Sequence, residues 1–192
     1  MGTVSFEYST FDEAIRSERP VVLPETPDLN RTGSALIWLS GVHVYSFGVI
    51  LHVAALTEQS DYGLALNDYD MADRWSDEIA PIRFGIEFSD GTAIALDRAA
   101  PAGTVFEVRR SSGNPGSLCA TVFLRPIPPP GPVRIITAIP KLGVSEAEAS
   151  IDGQQIVSAS ESVERLWTTT PRTSRGLGGA GLRGGTWFSR WD

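Results

Sequence analysis

One cysteine, two histidines and two methionines are all that 192 residues contain of those types. The single thiol, Cys119, excludes an intrachain disulfide and a cysteine-built metal centre. It lies in the apolar stretch LCATVFL, where a small buried thiol is the default over a nucleophile. The two imidazoles, His43 and His52, are the only candidates for acid–base or metal work near neutral pH. The opening segment, MGTVSFEYSTFDEAIRSERP, lacks the basic and apolar stretches of a secretion signal, which points to a cytoplasmic protein. Asn30-Arg31-Thr32 fits the glycosylation pattern, and without an export signal it reads as chance.

Charge is missing altogether between Arg31 and Glu58, in TGSALIWLSGVHVYSFGVILHVAALT. A run of that length could cross a bilayer as a helix, which needs about 20 apolar residues. Its interior argues otherwise: His43, His52, Ser40, Ser46, Gly41 and Gly48 lie inside it, and polar groups at bilayer depth are costly. Val, Ile, Tyr and Phe dominate positions 42–53, a composition that favours strands. The run reads as a buried β-hairpin, with strands near Ala35–Tyr45 and Val49–Leu56. Gly48 is expected to supply a positive φ at the reversal.

What is present describes a globular chain: 42% apolar residues, 20% charged, and enough length for one domain with a real core. Val, Ile, Thr, Gly and Pro outweigh the helix formers and tilt the fold toward β. Residues 3–8 (TVSFEY) alternate as a first strand, and VVLP at 21–24 is a short second one. Asn67 can cap a helix reaching Ile79, with Met71, Trp75 and Ile79 on one face and Pro81 as the stop. IRFGIEFSDGTAIAL places Asp-Gly between two alternating runs, a strong hairpin signal. Further strands are expected at Val105–Arg110, Leu118–Leu124 and Val133–Ile139, with SSGNPGS as a turn. RPIPPPGP must cross between sheets or follow an edge, because proline cannot donate to a ladder. Over Ile151–Trp167 the period changes, and Ile156, Ser160, Val163 and Trp167 share one helical face. The expected fold is a mainly β, antiparallel β-sandwich with one C-terminal packing helix. Residues 1–167 form the domain and 168–192 an extended flexible tail.

Chemistry is thinly signalled. Register at the hairpin decides whether the histidines meet. A three-residue turn at Ser46–Gly48 pairs His43 with Leu51 and Val42 with His52, on opposite faces. A two-residue turn at Phe47–Gly48 sets His43 opposite His52, close enough to share a ligand. The bland reading has each imidazole satisfied separately. Asp68, Asp70 and Asp73 resemble a cation loop but lack the glycine and distant glutamate of an EF-hand, which leaves a solvated acidic face. Gly176–Gly181 fits G-x-G-x-x-G literally, without the strand, helix and acid that a dinucleotide site requires. No G-x-S-x-G elbow or Walker loop occurs. IPPPG serves as a rigid crossover before it serves as a polyproline ligand.

A net charge of −7 argues against nucleic-acid binding by the body of the domain, and the stretch from Glu58 to Asp90 is strongly acidic. The tail contrasts with it. Arg172, Arg175, Arg183 and Arg190, with Trp187, Phe188 and Trp191, could combine phosphate contact with base stacking, or dock on an acidic protein surface such as that of a second copy.

LRPIPPPGPVRIITAIPKLGV, ASIDGQQIVSASESVERLW, GVHVYSFGVILHV and FGIEFSDG together resemble a group of uncharacterised actinobacterial proteins, over about Ala35 to Trp167. The resemblance implies a soluble hairpin and a sandwich, and carries no functional residues with it.

Three functions follow as expectations. The first is a non-enzymatic interaction module whose basic tail engages a protein partner, with no cofactor and no membrane. The second is a metal-dependent enzyme or metal-binding protein using His43 and His52. The third is a structural subunit of a larger assembly.

Overall fold

The inward-facing residues of the uncharged run define the fold. Ala35, Ile37, Leu39, Val42 and Val44 on one strand, and Val49, Leu51, Val53 and Ala55 on the next, all lie in one buried core. In the computed structural model, which describes residues 15–24, 26–66 and 78–167, these are strands β4 (Ala35–Tyr45) and β5 (Gly48–Thr57). The expected hairpin is present, with its second strand one residue longer at each end. Among the described residues no helix is long and apolar enough to cross a membrane.

Four further strands, two earlier and two later in the chain, complete the larger sheet. It runs β10 (Val105–Ser112), β11 (Ser117–Arg125), β5, β4, β2 (Val21–Leu23), with β3 (Asp28–Arg31) also paired to β4. The smaller sheet runs β13 (Val144–Asp152), β12 (Pro132–Ile139), β8 (Arg83–Glu87), β9 (Ala93–Ala95). Its buried residues Phe84, Ile86, Val133, Ile135 and Ile151 share the core with those of the larger sheet, giving a mainly β, antiparallel sandwich. Phe84 and Phe106 meet across it with ring centroids 6.1 Å apart. The proline-rich link does cross between sheets, since β11 lies in one and β12 in the other. Two short pairs sit outside the layers: β6 (Gly63–Ala65) with β7 (Ile79–Pro81), and β1 (Glu18–Arg19) with β14 (Glu164–Arg165).

Asn30 joins the layers. Its side-chain amide, buried on β3, donates to the carbonyl oxygens of Thr137 at 3.2 Å and Ser145 at 2.9 Å, on the opposite sheet. A buried amide so paired fixes where β3 lies over the smaller sheet.

Three expectations are corrected. Gly48 has no positive φ; the two-residue turn is Ser46–Phe47, with Tyr45 opposite Gly48. Glycine is required there for closeness instead: a Cβ would lie 2.6 Å from the Leu124 carbonyl oxygen and 2.8 Å from the Phe123 ring. The C-terminal helix is shorter than its periodicity suggests. Here α1 spans Gly153–Glu161, with Asp152 capping it by accepting from the Gln154 N–H. Ile156 and Ala159 enter the core, whereas Val163 and Trp167 lie beyond the helix, and Trp167 is exposed. Residues 144–152 are a strand, at the edge of the smaller sheet with much of SEAEAS facing solvent, so no apolar alternation announces it. Ile79 belongs to β7 rather than to a helix; the rest of that expected helix, the strand at 3–8 and the tail lie outside the described residues.

Candidate functional site

The outer face of the larger sheet is built by one irregularity. Inward residues of β4 step by two except between Leu39 and Val42, where Ser40 bulges and the pairing register shifts. Beyond the bulge, Gly41 and His43 point outward together. His52 on β5 stands opposite Gly41, and His43 stands opposite Ile50. The histidines are therefore diagonal neighbours on one face, a register that neither expected turn gives. Nδ1 of His43 and Nε2 of His52 lie 3.3 Å apart, with ring centroids 4.4 Å apart and planes at 61°. The expectation of two separately satisfied imidazoles is overturned. One ring donates and the other accepts, according to tautomer.

Gly41 keeps the surface beneath the two rings clear of any side chain. A Cβ there would sit 3.6 Å from Cδ2 of His52 and 3.8 Å from Nε2 of His43, so a larger side chain would occupy the floor on which both rings rest. Ser40 donates its hydroxyl to the His52 carbonyl oxygen at 3.3 Å. Around the pair the partners are uncharged: Val22 opposite His43 on β2, and Thr121 opposite His52 on β11. Burial pulls both imidazoles below their ordinary value of 6.5, and His43 lowers His52 further. Among the described residues, no group of three or more His, Cys, Asp or Glu side chains gathers as a metal cluster.

The same face carries exposed apolar surface. Val22 is 58% exposed and Leu56 51%, while Trp38 is half-buried opposite Ala54. Cys119 is exposed, not buried as its apolar stretch suggests. The reason is strand alternation: Leu118, Ala120, Val122 and Leu124 face the core, which sends Cys119 outward beside Ala54. Towards the hairpin turn the face closes over a small cluster of Tyr45, Ile50 and Phe123, with Phe47 and Val105 packed on it. The Arg109 guanidinium lies over the Phe123 ring at 5.4 Å and pairs with Glu107 at 2.8 Å. Burial, and then the nearby Glu18 carboxylate, raise the Tyr45 phenol above its ordinary value.

A concavity of about 520 Å³ lies on the smaller sheet. Gly85, Ala95 and Ala138 line it between Arg83, Arg98, Asp97 and Glu146. The two signs of charge balance there, so it selects neither anion nor cation.

Of the residues picked out in the sequence, His43 and His52 are brought together. Asp68, Asp70, Asp73, the Gly176–Gly181 run, and Arg172, Arg175, Arg183, Trp187, Phe188, Arg190 and Trp191 lie outside the described residues. Ser40 and Gly41 escaped sequence reasoning; their one signal is a small polar pair interrupting strand alternation. No protein family, no curated protein and no solved structure matches the chain.

Proposed function

We propose that the protein is a non-enzymatic interaction module that binds a protein partner through the outer face of its larger sheet. The basic segment 168–192, with Arg172, Arg175, Arg183, Trp187, Phe188, Arg190 and Trp191, supplies a second contact. The observation that carries this reading is the exposure of Val22 and Leu56 on a face that also holds Trp38 and Cys119. Val22 and Leu56 lie towards opposite ends of this face with the half-buried Trp38 between their levels; exposed apolar side chains on an open sheet lose water on association, and an aromatic serves as an anchor. The contrast between an acidic chain of net charge −7 and its arginine-rich end supports a partner with an acidic patch. A cytoplasmic location belongs to the same reading, since an exposed free thiol at Cys119 suits a reducing compartment.

Quantitative affinity capture tests it, comparing the intact chain, a Val22→Asp/Leu56→Asp variant and a chain lacking residues 168–192. Both changes are expected to deplete the same partner while the far-ultraviolet spectrum stays unaltered. A partner set unchanged by either alteration would end the proposal.

A further inference from the structure

We propose that His43 and His52 form a two-nitrogen chelate for a divalent transition-metal ion, with Cu²⁺ held most tightly. The inference does not rest on the partner-binding reading, because it concerns the purified chain alone. Its basis is the 3.3 Å between Nδ1 of His43 and Nε2 of His52. A metal bonded to two imidazoles at about 2.0–2.1 Å, with an angle between square and tetrahedral, holds their nitrogens about 2.9–3.3 Å apart. The rings already stand at the outer limit of that span; a cation would sit about 1.2 Å to the side of the line between the two nitrogens, so its binding displaces the shared proton and turns each imidazole lone pair toward it.

Three features of the sheet hold this geometry. The Ser40 bulge puts His52 opposite Gly41 and so places the two rings on one face, two residues from standing directly opposite. Strand pairing fixes both backbones: β4 and β5 are inner strands of the sheet, bordered by β2 and β11. Gly41 leaves the floor beneath the rings open to within 3.6 Å. Both histidines are half-buried, which leaves the outward side open for water to complete the coordination. The choice of metal follows from the donors. Two neutral nitrogens, with Val22, Ile50 and Thr121 in the flanking pairs, suit copper, nickel and zinc rather than the oxygen-seeking calcium and magnesium.

The test is calorimetric titration of the full chain with CuCl₂, NiCl₂ and ZnCl₂, followed by electron paramagnetic resonance of the copper form. One equivalent of Cu²⁺ is expected to bind, more tightly than Ni²⁺ or Zn²⁺, with nitrogen superhyperfine splitting from two imidazoles. Either His43→Gln or His52→Gln should weaken copper binding about a hundredfold, because the second nitrogen then no longer acts at high effective concentration. Gly41→Val keeps both rings but fills the floor between them, and should weaken binding with the fold intact by circular dichroism. The proposal is overturned if the His43→Gln/His52→Gln double variant binds copper as the parent does. It is equally overturned if the parent's copper spectrum shows no nitrogen coupling, or if no equivalent binds.

Discussion

The carboxylate of Glu18 accepts two hydrogen bonds from Ser46, one from its backbone N–H at 3.1 Å and one from its hydroxyl at 2.6 Å. Glu18 belongs to β1, far from Ser46 in the chain, and is buried with Arg165 at 3.6 Å. The contact explains an otherwise poor turn. Two-residue hairpins favour turns with positive φ because these match the strand twist, yet neither Ser46 nor Phe47 has one. An anchor from outside the hairpin holds what local geometry alone holds badly.

Replacing Glu18 therefore acts on the central hairpin. Glu18→Ala removes both hydrogen bonds to Ser46, which is exposed enough for water to replace them in part, and is expected to cost about 0.5–1.5 kcal/mol. Glu18→Gln, which can still accept, should cost less. Urea unfolding of both variants measures the difference. Equal stability of Glu18→Ala and the parent would show that the contact clamps nothing.

Gly48→Ala is expected to destabilise by about 1–3 kcal/mol, through overpacking rather than strain in φ. The added methyl meets the Leu124 carbonyl oxygen at 2.6 Å, and a backbone atom of a neighbouring strand cannot swing aside. The shift of the denaturation midpoint at constant slope checks this.

Asn30 and Thr137 should respond with opposite signs. Asn30→Ala removes the amide that links β3 to the smaller sheet, and is expected to cost about 1–3 kcal/mol. The Thr137 hydroxyl is buried with no hydrogen-bond partner among the described residues. Thr137→Val discards an unsatisfied polar atom at nearly constant shape, and should be neutral or stabilising by about 1 kcal/mol. Thermal melts of the two variants, side by side, decide it.

Stability of the metal-free chain should fall with acid in a defined window. Burial holds the folded His43 and His52 below the ordinary value of 6.5, and His43 adds to the lowering at His52. Below 6.5 the unfolded chain therefore binds more protons than the folded one, so acid favours unfolding. This contribution is complete above pH 6.5 and is lost as pH drops through the lowered folded values. The melting temperature should decline across that window in the parent and decline less in His43→Gln/His52→Gln. Parallel profiles in the two proteins would contradict it.

Much of the fold was legible because its signals are local. An uncharged, β-rich run marks β4 and β5, alternation marks β8 and β9, short apolar runs mark β11 and β12, Asp90-Gly91 marks the turn between β8 and β9, and proline marks the crossing from one sheet to the other. Where a strand sits at an edge and carries Glu, Ala and Ser, as β13 does, the alternation fades and the element is missed. The helix is shorter than its spacing suggests because Val163 and Trp167 continue a helical period that the chain abandons to pair Glu164–Arg165 with β1.

The candidate site divides the same way. Two imidazoles, one thiol and one long uncharged hairpin are legible in the chain alone, since these are matters of composition and period. That the imidazoles meet and that Cys119 faces outward follows from how the strands pair in the folded sheet. A one-residue bulge at Ser40 moves every later side chain of β4 to the other face, and its position follows from how β4 pairs with β5, not from the residues of either strand read alone.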